Sequence, residues 1–150
     1  MVSIFYAFIS SLGFGILFNV RGKNLIIASI GGAFGWLFYT LTFNSLQSEV
    51  VALFIASIAI SVYSEIFARV MKNPVTIFLI CALIPLVPGG GMYYTTFEAV
   101  QGNVNGSIVK GIETLFNAAS IAVGIILVST ISKILNKLKM NKIARLKAEK

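Results

Sequence analysis

Four long apolar stretches dominate the sequence: roughly Val2–Phe18, Leu25–Phe43, Val50–Ala68 and Leu115–Ile134. A helix needs about 20 apolar residues to cross the hydrocarbon core of a bilayer, and each stretch is of that order. A fifth, Pro74–Val100, is apolar and long enough but is interrupted by Pro85, Pro88 and Gly89-Gly90-Gly91. Charge is correspondingly scarce. Of 150 residues, 12 are Lys or Arg and 5 are Asp or Glu, against 57% hydrophobic residues and a mean hydropathy of +0.92. A soluble domain is about a quarter charged, so a soluble enzyme and a disordered chain are both excluded. Eight of the 17 charges fall in Lys133–Lys150, seven of them basic. The net charge of +7 is thus mostly a property of the tail and does not indicate nucleic-acid binding. The expected organisation is a membrane domain, residues 1–132, followed by a basic cytoplasmic tail, residues 133–150.

The few cations predict a topology. Arg21 and Lys23 follow the first stretch, and Arg69 and Lys72 follow the third. Asn44–Glu49 has no cation, and Gln101–Thr114, taken as the connection after the broken stretch, has only Lys110 beside Glu113. Five crossings with the N-terminus outside place eleven of the twelve cations on one side, as the positive-inside rule requires. A broken stretch that only dipped in and returned would separate the tail from the Arg21 and Arg69 loops. The expected fold class is therefore an all-α integral membrane protein. It has five transmembrane helices, N-out and C-in, with the fourth span broken. The first cation is Arg21, so no basic region precedes the first stretch, which is expected to be a retained span.

The chemistry is limited by what is missing. The sequence has no His and a single Cys, Cys81, in an apolar run. That removes the commonest general base, any intrachain disulfide and any cysteine-rich metal site. No metal, no cofactor and no enzymatic activity are expected.

The segment Leu83–Thr95 is the most informative. Pro85 and Pro88 lack the N–H groups that would bond the carbonyls of Cys81 and Ile84. Three glycines then permit non-helical backbone. Unpaired backbone facing lipid costs several kcal/mol per group, so the break must face protein or a water-lined cavity. Val75–Ile84 makes a half-helix of about 15 Å, which puts the break near the bilayer midplane. A second half-helix is expected from about Met92, its N–H groups and positive dipole end pointing into the membrane. Broken helices of this kind bind substrates in many secondary transporters; a kinked, tightly packed helix is the alternative, and two prolines with three glycines favour a site over it. The candidate substrate-binding residues are Pro85, Pro88, Gly89, Gly90, Gly91, Met92, Tyr93, Tyr94, Thr95 and Thr96.

Four polar residues are candidates for coupling or gating. Glu65 and Arg69, spaced i, i+4, form either a snorkelling ion pair or part of an ion path. Glu98 lies in the outer half-helix and faces the outer mouth or water. Asn117, like Ser120, is polar on an apolar helix, where interhelical hydrogen bonding is the default and substrate contact the alternative. Trp36, Tyr39 and Tyr63 read as aromatic anchors near span ends. The tail reads as an orientation signal, or more sharply as a contact for anionic lipids.

The run Ile84-Pro85-Leu86-Val87-Pro88-Gly89-Gly90-Gly91-Met92-Tyr93-Tyr94-Thr95 resembles the signature of the threonine/serine exporter (ThrE-type) family, in its small stand-alone membrane subunit. Phe18-Asn19-Val20 resembles that family's turn after the first span, with Arg21 standing where Pro is usual. Gly31-Gly32-Ala33-Phe34-Gly35-Trp36 resembles its second span. The likeness covers about Gly13–Gly124. It implies a subunit that works with a larger membrane subunit to export small amino acids or, in some members, dicarboxylates such as succinate. Both classes carry a carboxylate, which suits a half-helix N-terminus. The competing reading is a non-transporting membrane subunit that stabilises or regulates a partner.

Overall fold

The computed structural model describes residues 2–148, with side chains described to 138 and at 141. The rest of the basic tail lies outside the described residues. Six helices follow in order: α1 (Val2–Leu17), α2 (Lys23–Leu46), α3 (Glu49–Met71), α4 (Val75–Leu83), α5 (Gly89–Val100) and α6 (Val104–Ala148). A 3-10 turn over Ile84–Leu86 extends α4.

Five crossings do not survive this description. Three helices are long and apolar enough to span a bilayer, Lys23–Leu46, Glu49–Met71 and Val104–Leu138. A fourth is added only if Val75–Leu86 and Gly89–Val100, bent by 48°, count as one span. α1 falls short because it ends at Leu17, where Phe18–Val20 turn back and Asn19 adopts φ 59°. Its 16 residues reach about 24 Å, less than a hydrocarbon core of about 30 Å. The N-out, C-in assignment rested on that count and falls with it.

α2 packs against α1, α3 and α4, and α3 against α2, α4 and α6. Small residues let these helices approach closely. A Cβ on Gly32 would run into Ser11 Oγ of α1, and one on Gly124 into Ser57 Oγ of α3. Leu53, Ala56, Ile60, Ala82, Leu86 and Ile121 form one buried cluster, and Ala28, Ala68, Phe78 and Cys81 another. Apolar residues also cover the outside, with Leu17, Leu115 and Ile126 each more than half exposed. An apolar exterior over a core this sparing of large side chains is what lipid as solvent permits. α5 is the outlier. Among the described residues it contacts only α6, and none of its own is buried.

The charges sort to two ends. α2 begins and α3 finishes at the same end, since Ile27, Ala28, Phe67 and Ala68 share one cluster. Arg21, Lys23, Arg69 and Lys72 lie there, and Ser132 of α6 reaches Arg69. Glu49, Lys110 and Glu113 gather at the opposite end.

Candidate functional site

The break falls one step earlier than the glycines. Val87 is extended (φ −61°, ψ 128°), as a residue before proline is pushed to be. Pro88 then stands immediately before the first helical residue, Gly89. The three glycines are helical, so α5 starts at Gly89 rather than near Met92. Proline at the mouth of a helix loses nothing, because the first-turn N–H groups have no intrahelical partner. Here Gly89 N donates to Val87 O (2.7 Å) and Met92 N to Pro88 O (3.2 Å). Among the described residues, the N–H groups of Gly90 and Gly91 find no acceptor.

Gly90 and Gly91 line a cleft of about 370 Å³. Pro85, Leu86, Val87 and Pro88 line it at the break, with Leu53 of α3 beside them. α5 supplies Gly90, Gly91 and Tyr94, and α2 supplies Trp36 and Tyr39. α3 adds Glu49 from its first turn, and α6 adds Lys110, Glu113, Thr114 and Asn117. Gly91 is pressed against α6, where a Cβ would meet Thr114 Oγ1. Thr114 Oγ1 donates to Lys110 O (2.7 Å), and Lys110 Nζ donates to Glu113 Oε2 (2.8 Å). Asn117 is 6% exposed, and its carboxamide has no protein hydrogen-bond partner among the described residues. The cleft is thus lined by a helix N-terminus, an unpartnered amide, three aromatic side chains, two carboxylates and one ammonium group.

The structure divides the sequence-derived candidates. Pro85, Pro88, Gly90, Gly91, Tyr94 and Asn117 line the cleft together. Gly89, Met92, Tyr93, Thr95 and Thr96 do not. Met92 and Tyr93 are exposed on the other side of α5, where Tyr93 stacks on Phe97. The hydroxyls of Thr95 and Thr96 donate to Gly91 O and Met92 O of their own helix. Glu98 accepts from Asn103 Nδ2 (2.7 Å) at the α5–α6 connection. Glu65 and Arg69 lie at the opposite end, 3.4 Å apart.

Reasoning from the sequence missed Trp36, Tyr39, Glu49, Leu53, Lys110, Glu113 and Thr114. Trp36 and Tyr39 face the cleft instead of anchoring span ends, and Tyr63 is turned inward, its hydroxyl donating to Ile27 O (2.8 Å). A signal existed for α6. Lys110, Glu113, Thr114 and Asn117 recur at helical spacing, but Gln101–Thr114 read as a connection, whereas α6 begins at Val104.

Among the described residues no three His, Cys, Asp or Glu side chains gather to hold a metal ion. Comparison with curated proteins and with solved structures returns no match. The family model described as Threonine/Serine exporter, ThrE, matches residues 3–131. With a site of this composition, that match describes a transporter chain rather than an enzyme. The chain is a multi-pass membrane protein that belongs to the threonine/serine exporter family.

Proposed function

We propose that the chain is the small subunit of a secondary exporter for small carboxylate-bearing metabolites, working with a larger membrane subunit. One observation carries this reading. Gly90 and Gly91, in the first turn of α5 and with N–H groups that find no acceptor among the described residues, line one cleft together with Asn117. A helix N-terminus favours an anion through both its N–H groups and its dipole, and a carboxylate is the anion that fits. Glu49 and Glu113 outnumber Lys110, which Glu113 already pairs. This balance supports a substrate with an ammonium group beside its carboxylate over a dicarboxylate. The ammonium would lie between the two acids and the rings of Trp36 and Tyr39, where cation–π attraction adds to charge pairing. The larger subunit would close the side of the cleft where Lys110 and Glu113 are exposed. The cation-rich end, with Arg21, Lys23, Arg69 and Lys72, would face the cytoplasm.

Efflux of threonine, serine and succinate from cells with and without the chain and its partner tests the reading. Threonine and serine efflux is expected to require the chain and to exceed succinate efflux. Equal efflux without the chain would overturn it.

A further inference from the structure

At the cation-rich end, away from the cleft, α3 and α6 leave a second groove of about 340 Å³. Its walls are apolar: Ile58, Val62 and Ile66 from α3, with Val128, Ile131 and Leu135 from α6. Its one polar cluster is Glu65, Arg69 and Ser132. Arg69 Nη2 donates to Ser132 Oγ at 2.8 Å and lies 3.4 Å from Glu65 Oε2. A guanidinium carries five N–H donors in a fixed fork. The Nε and Nη1 groups of Arg69 meet no acceptor among the described residues, and the side chain is 52% exposed. Ser132 and Glu65 thus engage Nη2, while Nε and Nη1 keep donors that the protein leaves unused.

Two further quantities identify what would use them. The first is length. Arg69 to Ile58 spans about 16 Å of α3, and one leaflet of a hydrocarbon core is about 15 Å deep. The apolar wall is as long as one acyl layer, with the guanidinium at its polar edge. The second is charge. Lys72 lies three residues beyond Arg69, and Lys133 follows Ser132, both exposed. Glu65 is the single acid of the groove. An exposed guanidinium with free Nε and Nη1 donors, with two more cations nearby in sequence, selects phosphate over a neutral group, and a net anionic headgroup over a zwitterionic one.

We propose that this groove binds one anionic phospholipid, its phosphate on Arg69 and an acyl chain along Val62, Ile66, Val128 and Ile131. The site is independent of the cleft and of the transport reading.

Native mass spectrometry of the full chain, titrated with phosphatidylglycerol and with phosphatidylcholine, tests it. The wild type is expected to retain one phosphatidylglycerol with at least fivefold preference. Arg69→Gln should erase the preference, and Arg69→Lys should keep only part of it, since it retains the charge with fewer donors. Ile66→Trp, which fills the apolar wall and spares Arg69, should weaken binding of both lipids. Arg21→Gln, at the same end but outside the groove, should leave the preference intact. Undiminished preference in Arg69→Gln would overturn the proposal. So would equal loss in Arg21→Gln, which would mean diffuse attraction to the basic end. Dimers cross-linked through Val62→Cys, formed regardless of lipid, would show that a second copy fills the groove instead.

Discussion

The Asn117 carboxamide belongs to a residue that lines the cleft and has no protein hydrogen-bond partner among the described residues, whereas the fully buried hydroxyls without one are those of Ser11 and Ser64. A polar side chain that makes no protein hydrogen bond adds little to stability, so an apolar residue would serve packing as well here. Asn117→Leu is therefore expected to leave thermal stability unchanged or raise it by about 1 kcal/mol, while efflux falls at least tenfold. A destabilised, still active variant would return Asn117 to an ordinary interhelical role. Close packing makes the opposite kind of residue at Gly32, whose missing side chain admits Ser11. Gly32→Ala should cost about 1–3 kcal/mol in thermal or denaturant unfolding. Ser11→Gly should restore part of that loss. Gly13→Ala meets nothing within 4 Å and should be neutral or mildly stabilising.

At the scale of elements, the break between α4 and α5 was legible because proline and glycine act locally. Pro88 ends one helix and begins the next wherever it is placed. Which face of α5 meets the cleft was not legible, since that depends on the helix it lies against. Gly90, Gly91 and Tyr94 share the inward face at a spacing of three to four, while Met92, Tyr93 and Thr96 point elsewhere. Glu49 was out of reach for the same reason: it arrives from the first turn of α3, far away in sequence. The contact that sets α5 on α6 is Gly91 against Thr114. Gly91→Ala is expected to push the two helices apart and lower efflux severalfold without loss of membrane expression. Thr114→Ala in the same chain should recover part of it. Failure of the second change to recover any activity would argue against this contact as the hinge of the site.

At the scale of the whole molecule, membrane residence and the sorting of cations were readable from composition, but the number of spans was not. Apolar residues in α1 stop after 16 helical positions because Asn19 turns the chain, and hydropathy alone does not register a turn. Orientation is open to direct measurement. In a Cys81→Ala background, Pro74→Cys at the cation-rich end should resist a membrane-impermeant maleimide until cells are lysed. Gln101→Cys at the other end should label on intact cells. The reverse pattern would invert the orientation. The central claim is that the first turn of α5 holds the substrate's carboxylate, and Gly90 tests it most cleanly. A Cβ there meets nothing within 4 Å and Gly90 lines the cleft, so Gly90→Leu is expected to narrow it with little cost to packing. With chain and partner at normal abundance in the membrane, Gly90→Leu is expected to cut threonine and serine efflux at least tenfold; efflux at the wild-type rate would contradict the assignment.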